Sequence, residues 1–209
     1  QSTGTPVVLT SEPLSLWLTL PVLVVYPMLF AWLSHRTAIR LAEHKRRLEL
    51  MSTRDGMTGV FNRRHWETLL RYEFEACRRS HRQATILLID IDHFKTINDT
   101  WGHDVGDEAI VAITRQLQLT LRSGDYIGRF GGDEFAVIMS GTPADSAIAA
   151  MSRVHERLVN MPLHGAPMAR LCISVGVAPW GAQFTHYREW LKAADVALYK
   201  AKNAGRGRT

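Results

Sequence analysis

Residues 14–33 form a run of twenty positions without a formal charge, and this run limits what the start of the chain can fold into. As a helix it would rise about 30 Å, which matches the hydrocarbon thickness of a bilayer. Trp17 and Trp32 lie near its ends, where membrane interfaces favour aromatic side chains. We therefore expect a transmembrane helix over 14–33. A buried core helix and a signal peptide are the alternatives, although no basic segment precedes the run.

The charges that follow this run are mostly basic. Residues 34–53 carry five Lys and Arg against two Glu. Because basic flanking residues remain in the cytoplasm, we expect residues 1–13 to be extracytoplasmic and everything after the span to be cytoplasmic. The sequence does not begin with Met, so we expect it to be a piece of a longer protein.

Residues 34–53 are rich in good helix formers, and we expect a cytoplasmic helical stem there. Leu41, His44, Leu48 and Met51 follow one another at spacings of three, four and three. This is an a/d pattern that would pair two copies as a coiled coil, but it covers fewer than three heptads. A solvated single helix is the alternative.

Residues 54–209 have the composition of one folded domain. The whole chain of 209 residues is 46% hydrophobic and 22% charged, which supports a packed core and excludes wholesale disorder. Cys77 and Cys172 match neither a disulfide framework nor a metal-binding pattern, and a reducing compartment fits them best. The net charge of +5 does not require a nucleic-acid partner, because about half of the excess lies in residues 34–53.

Hydrophobic periodicity in this domain alternates between helix and strand. It predicts helices over 62–80, 103–122, 144–160 and 187–203, and strands over 85–91, 126–130, 135–139 and 171–178. The second and third strands are joined through Gly-Gly, which is typical of a hairpin. We therefore predict an α+β domain, with one mixed central sheet flanked by helices.

Carboxylates cluster where the predicted strands end. Asp90 and Asp92 close an apolar strand, and Asp133 and Glu134 follow the two glycines of the hairpin turn. Carboxylates that converge at strand ends suit hard cations such as Mg²⁺. Taken alone, these residues are more typical of solvated turn positions than of a metal site.

These carboxylates belong to a series of five sequence motifs that follow one another along the chain. They are DGMTGVFNRR at 55–64, DIDHFK at 90–95 with ND at 98–99, GH at 102–103 with GD at 106–107, GGDEF at 131–135, and the closing-helix residues Asp195, Ala197, Leu198, Tyr199, Ala201, Lys202, Gly205 and Arg206. Over nearly all of residues 52–208 the chain resembles the GGDEF family of diguanylate cyclases. Its departures from the family pattern, at Val60, Trp101 and Gly207, touch no carboxylate.

The resemblance implies a fold and a reaction. The fold is a ferredoxin-like, nucleotidyl-cyclase (palm-like) catalytic domain, and the reaction condenses two GTP into cyclic di-GMP and two pyrophosphates by a two-metal mechanism. Mg²⁺ is the implied cofactor, with Mn²⁺ as a substitute. The implied metal ligands are the side chains of Asp90 and Asp133 and the carbonyl of Ile91. Glu134 would orient or deprotonate the 3′-hydroxyl, and Arg129 would stabilise charge that builds on phosphorus.

The same resemblance assigns the GTP contacts. Guanine presents both an acceptor and donors, and Asn98 with Asp107 offers the matching groups. The implied triphosphate ligands are the backbone amides around Phe94 and Lys95 and the side chains of Lys95, Lys202 and Arg206. Without the family pattern, Asn98 and Asp107 would be assigned to helix caps or loops and the basic residues to a solvated face.

Arg122-Ser123-Gly124-Asp125 resembles the family's R-x-x-D inhibitory site, where the product cyclic di-GMP binds. Arg122 and Asp125 can pair with guanine edges, and an ordinary helix end with a turn is the alternative. Each catalytic site would hold one GTP, so two copies must meet, which implies a homodimer aligned by the stem.

The resemblance and the charge rule together imply a bacterial inner membrane protein whose catalytic domain is cytoplasmic. Three other readings remain open. The first is an inactive domain that binds GTP or cyclic di-GMP as a receptor. The second is a different nucleotidyl transferase. Two observations argue against it: Asn98 and Asp107 favour guanine as the base, and no basic groove indicates a nucleic-acid partner. The third is a membrane anchor with a degenerate domain.

Overall fold

The computed structural model describes residues 16–51, 53–166 and 168–209, with the side chains of 16–22 and 42–51 outside that description. The chain divides into two units between Met51 and Ser52. The first unit is described as one helix, α1 (Leu16–Met51). Most of the predicted a/d pattern of the stem falls on side chains outside the described ones, so the coiled coil stays a prediction.

The transmembrane helix predicted over 14–33 is not supported. Within the part of the chain that the structure describes, no helix is long and apolar enough to cross a membrane. The first two residues of the predicted span lie outside the described residues.

The second unit is an α+β domain with one mixed sheet, as predicted. In chain order its elements are β1 (Phe61–Asn62), α2 (Arg63–Ser80), β2 (Ala84–Ile91), α3 (Phe94–Trp101), α4 (His103–Thr120), β3 (Tyr126–Arg129), β4 (Glu134–Ser140), α5 (Ala144–Val159), β5 (Ile173–Pro179) and α6 (Tyr187–Asn203). Helix α2 begins one residue later than predicted, because Asn62 caps it: the Asn62 side chain accepts a hydrogen bond from the His65 amide at 3.0 Å.

The sheet has the strand order β1-β3-β4-β2-β5. Strand β2 lies between two antiparallel partners, and its register puts Asp90 opposite both Glu134 of β4 and Ser174 of β5. Strands β3 and β4 pair as the predicted hairpin, while β1 pairs parallel to β3. The carboxylates at the end of β2 and at the hairpin turn are therefore neighbours across one ladder.

Each face of the sheet covers its own core. Leu87, Ile89 and Ile91 of β2 belong to one buried cluster, which also contains residues of α4 and α5, whereas Ile86 belongs to the cluster formed with α2 and α6. Side chains alternate between the faces of a strand, so Asp90 lies on the side of α2 and α6. Trp66 fixes α2 to this face, because its buried indole donates to the Tyr126 carbonyl at 3.0 Å.

Two elements were missing from the sequence prediction. Helix α3 has only eight residues, and it starts after His93, whose φ of 57° is left-handed. A non-glycine residue in that region gives no composition signal, and eight residues are too few for a clear period. Strand β1 has two residues and exists only through its pairing with β3.

Candidate active site

Asp90 lies next to the end of β2 in a buried position, and a cation is in contact with it. The Lys202 ammonium of α6 lies 2.6 Å from its Oδ2, and only 12% of the Asp90 side chain is exposed. Burial raises the pKa of Asp90. The hydrogen bond and charge of Lys202 oppose that rise, while the nearby carboxylates of Asp133 and Asp92 add to it.

The hairpin turn brings the other two carboxyl groups to the same place. The Ile91 amide donates to the Asp133 carbonyl at 3.2 Å, and the Phe130 amide donates to the Glu134 carbonyl at 2.8 Å. These bonds fix the backbone on both sides of the turn. The predicted ligands Asp90, Ile91 and Asp133 are thus brought together, with Glu134 exposed beside them.

This donor set fits a hard divalent cation. Its members are two carboxylates and one backbone carbonyl, and Mg²⁺ characteristically takes few carboxylates together with substrate phosphates. The carboxylates of Asp90 and Asp133 are close enough to raise the pKa of Asp90, so a cation between them would relieve repulsion. Within the described residues, no group of three or more His, Cys, Asp and Glu side chains forms a complete protein metal cage.

Asp92 has a different role from Asp90, although both end the same apolar run. Its buried carboxylate accepts from the Ser174 hydroxyl at 2.6 Å and from the Gly207 amide at 2.8 Å. Arg206 Nε lies 4.0 Å from the same carboxylate. Asp92 therefore anchors the segment after α6 and is not placed as a metal ligand. Sequence reasoning missed this role, because Gly207 lies 115 residues further along the chain.

Arg129 holds the hairpin turn in place. Its guanidinium donates to the carbonyls of Gly131 and Gly132, at 2.8 Å for the shortest bond, and Nη1 lies 3.1 Å from Asp55 Oδ1. Burial raises the pKa of Asp55, but hydrogen bonds from Thr58 and the charge of Arg129 outweigh burial and lower it overall. The guanidinium is thus engaged with the protein, so we describe Arg129 as a positioning residue. Its predicted contact with phosphorus stays a prediction.

The predicted guanine residues lie on two successive helices, Asn98 on α3 and Asp107 on α4. Asn98 of α3 is half-buried, and a Cβ on Gly106 of α4 would collide with its side-chain oxygen. Asp107, next to that glycine, is exposed. Gly106 therefore permits the close approach of α3 and α4 at Asn98, and Asp107 is the next residue of α4.

The predicted triphosphate residues lie at two places around the carboxylates. Phe94 and Lys95 form the first turn of α3, directly after the left-handed His93. Lys202 and Arg206 come from the end of α6 and the segment behind it, and they lie against Asp90 and Asp92 respectively. Both groups of cations and amides thus border the same carboxylate cluster.

The R-x-x-D segment borders a separate cavity of about 400 Å³. Arg122, Asp125, Arg54 and Phe61 are among its lining residues. The Arg122 amide donates to Asp125 Oδ2 at 2.9 Å. Burial raises the pKa of Asp125, and the hydrogen bond and charge of Arg122 only partly offset that rise.

Comparison with known proteins gives a consistent picture. Residues 52–208 match the family described as diguanylate cyclase, GGDEF domain. The chain is 70% identical over 207 residues to the probable diguanylate cyclase DgcC of Escherichia coli K12, covering 99% of this chain and 56% of that protein. It is 34% identical over 157 residues to the diguanylate cyclase DosC of the same strain, covering 74% of this chain and 34% of that protein. The chain thus spans only about half of the first relative.

Solved structures share the fold. The GGDEF domain of DgcB from Caulobacter crescentus, in complex with c-di-GMP, superposes with a TM-score of 0.72 at 27% identity, covering 75% of this chain and 94% of that one. The diguanylate cyclase SiaD of Pseudomonas aeruginosa, in complex with its activator SiaC, superposes with a TM-score of 0.70 at 33% identity. That match covers 91% of this chain and 75% of SiaD.

Proposed function

The chain belongs to the diguanylate cyclase family of GGDEF domains, and from this membership we propose that it condenses two GTP into cyclic di-GMP and two pyrophosphates. The observation that carries the proposal is the carboxylate cluster at the end of β2. Asp90 and Glu134 lie directly opposite each other in the β-ladder, with Asp133 beside them and Lys202 in contact.

The proposed reaction makes two new phosphodiester bonds. The 3′-hydroxyl oxygen of each GTP attacks the α-phosphorus of the other, and each attack breaks the bond to the β-phosphate and releases pyrophosphate. Each hydroxyl loses its proton in the process. Glu134 is exposed beside the cluster, where it can orient a hydroxyl or accept that proton.

The side chains of Asp90 and Asp133 and the Ile91 carbonyl would hold Mg²⁺, or Mn²⁺ in its place. When bound, such ions lower the proton affinity of a hydroxyl and neutralise charge on the triphosphate, as in two-metal sites. The chain's own residues do the positioning. Arg129 holds the turn that carries Asp133 and Glu134, through its bonds to the two glycine carbonyls.

Asn98 and Asp107 would recognise guanine, since together they offer an amide and a carboxylate where α3 and α4 approach closely at Gly106. The amides that begin α3, with Lys95, Lys202 and Arg206, would hold the triphosphate. Lys202 already touches Asp90, so its ammonium lies at the carboxylate cluster, where it would contact a phosphate bound there.

A homodimer is required by this chemistry, because each domain supplies one nucleotide and both hydroxyls must react. The helix before the domain would raise the local concentration of two copies. Attachment to the bacterial inner membrane, with the catalytic domain in the cytoplasm, rests on the sequence alone. Fractionation of cells that produce the chain would test it, and recovery of the chain outside the membrane fraction would contradict it.

Product inhibition is proposed for the cavity at Arg122 and Asp125. Its volume, an arginine and a half-buried carboxylate suit the edges of a guanine base. Arg122→Ala should abolish non-competitive inhibition by cyclic di-GMP and leave the initial rate unchanged. Inhibition that survives this substitution would refute the site.

The activity itself is tested by incubating the purified chain with GTP and Mg²⁺ and following pyrophosphate and cyclic di-GMP. The rate should rise more steeply than linearly with protein concentration, because two copies must meet. Glu134→Ala and Asp133→Ala should each abolish product formation. Tight binding of GTP without product would favour the alternative, an inactive domain that serves as a GTP or cyclic di-GMP receptor.

A further inference from the structure

The imidazole of His155, on α5, lies between two backbone carbonyl groups. Its Nδ1 is 2.9 Å from the carbonyl oxygen of Met151, one helical turn earlier, and its Nε2 is 2.7 Å from the carbonyl oxygen of Ile173, the first residue of β5. A carbonyl oxygen can only accept a hydrogen bond, and a neutral imidazole has a single N–H to donate. Both contacts are therefore hydrogen bonds only when both ring nitrogens carry a proton.

A neutral ring would be held less well in this half-buried position. One of its nitrogens would direct a lone pair at one of the two carbonyl oxygens, and that contact is repulsive. The charged ring satisfies both oxygens, and a hydrogen bond from a charged donor is roughly twice as strong as one from a neutral donor. The geometry thus favours the imidazolium over either neutral tautomer.

No carboxylate accounts for a charged ring at this place. Among the residues that the structure describes, no Asp or Glu side chain forms an ion pair or a hydrogen bond with the imidazole. Cys172, next to Ile173, remains a neutral thiol, because burial and the charge of Asp92 raise its pKa. Four exposed charged side chains lie on α5 and on the segments next to β5, namely Arg153, Glu156, Arg170 and Arg208. The two carbonyl oxygens are thus the groups that would hold the second proton on the ring.

The carbonyl that His155 binds lies on the outer edge of the sheet. Strand β5 is an edge strand, and Ile173 is opposite Ile91 in the β2–β5 ladder. The neighbouring pair is hydrogen-bonded across the ladder, because the Asp92 amide donates to the Cys172 carbonyl at 2.9 Å. Antiparallel pairs alternate between bonded and non-bonded, so the polar backbone groups of Ile173 point away from β2. His155 therefore supplies the partner that this carbonyl lacks within the sheet.

The same part of β5 holds Asp92. The Cys172 carbonyl accepts from the Asp92 amide, and the Ser174 hydroxyl donates to the Asp92 carboxylate at 2.6 Å, so the residues on both sides of the bound carbonyl contact Asp92. Asp92 in turn accepts from the Gly207 amide and lies beside Arg206. A bond that fixes the start of β5 therefore acts, through Asp92, on the segment that carries a proposed triphosphate ligand.

We propose that His155 is a positioning residue that acts as an imidazolium. With a proton on both ring nitrogens it fixes the start of β5 and, through Asp92, the segment that carries Arg206. The protonation of the ring does not depend on the proposed function, whereas the effect on the nucleotide rests on it. Loss of one proton removes one of the two hydrogen bonds, so this attachment weakens as pH rises.

The first measurement is the imidazole ¹⁵N spectrum of the unmodified full chain at pH 7.5, where an ordinary histidine is mostly neutral. The ring of His155, assigned through its own backbone, should show a proton on each nitrogen. His186 is the internal reference for a neutral ring, because its Nδ1 accepts from the Arg188 amide at 3.2 Å and so carries no proton. An unprotonated nitrogen on His155 would overturn the inference, whether or not any variant folds.

The second measurement is the Tm of His155→Gln, whose single amide nitrogen cannot donate to both carbonyls. We expect Tm to fall by about 4 °C at pH 6 and by less than half of that at pH 9, where the native ring has lost its second proton. The matched control is His164→Gln, the same change on a ring that is 97% exposed, and its Tm should stay within about 2 °C at both pH values. A decrease in His155→Gln that is equal at pH 6 and pH 9 would overturn the inference.

The positioning role is tested by nucleotide binding at 25 °C, where the variant is folded. The probe is 3′-deoxy-GTP with Mg²⁺, which cannot react because it lacks the attacking hydroxyl. Its affinity should fall about threefold in His155→Gln, because the segment that carries Arg206 is less well held. A lower Tm with unchanged affinity would overturn the positioning role. A chain that binds this probe but forms no cyclic di-GMP from GTP would refute the proposed function, while the ¹⁵N spectrum would still decide the protonation of His155.

Discussion

Replacing Asp92 by Asn should loosen the segment that carries Arg206. The carboxylate accepts two hydrogen bonds, from the Ser174 hydroxyl and the Gly207 amide, one on each oxygen. An asparagine has the same shape but one acceptor oxygen and no charge. With that oxygen toward the Gly207 amide, its NH₂ group faces the Ser174 hydroxyl, which must then accept instead of donate. Both bonds therefore lose their charged acceptor in a buried place.

The structure sets the size of this effect. A hydrogen bond to a charged group contributes about 1.5–3 kcal/mol and a neutral one about 0.5–1.5 kcal/mol, so removing the charge from two bonds should lower the free energy of unfolding by about 2 kcal/mol. For a domain of this length that corresponds to a decrease in Tm of about 4–8 °C. The segment keeps a second attachment, because the Val175 amide donates to the Arg208 carbonyl at 2.9 Å. We therefore expect KM for GTP to rise several-fold without a complete loss of turnover.

Differential scanning calorimetry and steady-state kinetics measure the two effects. Glu156→Gln is the matched control, because it makes the same chemical change on an exposed position of α5. A Tm within about 1 °C of the unmodified protein, or an equal decrease in the control, would refute the anchoring role of Asp92. A lower Tm with unchanged KM would separate stability from the position of Arg206.

Three further predictions concern titrating and positioning groups. The pKa of Asp90 is raised in the folded state, so its ionised form destabilises the fold as pH rises through that pKa. Asp90→Asn should therefore not lower Tm at pH 7, although it should abolish turnover by removing a proposed metal ligand. A large decrease in Tm would contradict this. Burial, with the charge of Glu73, raises the pKa of Cys77 to about 11. Iodoacetamide at pH 8 should therefore leave this thiol unmodified unless the protein is unfolded. Rapid labelling of Cys77 in the folded protein, measured by mass spectrometry, would contradict its burial. The Arg129→Lys substitution removes the guanidinium that bonds to Asp55 and to both glycine carbonyls. We expect kcat to fall while the affinity for 3′-deoxy-GTP stays within about twofold. A loss of affinity alone would show that Arg129 contacts the nucleotide directly.

Local sequence patterns correctly predicted those elements whose pattern lies within the element's own residues. The four-residue recurrence of apolar side chains gave α4, and α6 runs over Tyr187–Asn203, the range predicted. The pair of glycines between two apolar runs gave the hairpin. The charge-free run predicted a membrane helix, which is not supported within the residues that the structure describes.

The sequence by itself determined the α+β alternation, the carboxylate motifs and the family, because each is written in residues that are neighbours along the chain. Tertiary structure alone decided which carboxylate does what. Asp90 and Asp92 are two positions apart, yet one meets Lys202 and the other meets Gly207. Strand β2 ends between them, and their partners come from over a hundred residues away. Such pairings follow from how the sheet and α6 pack, and no local pattern encodes them.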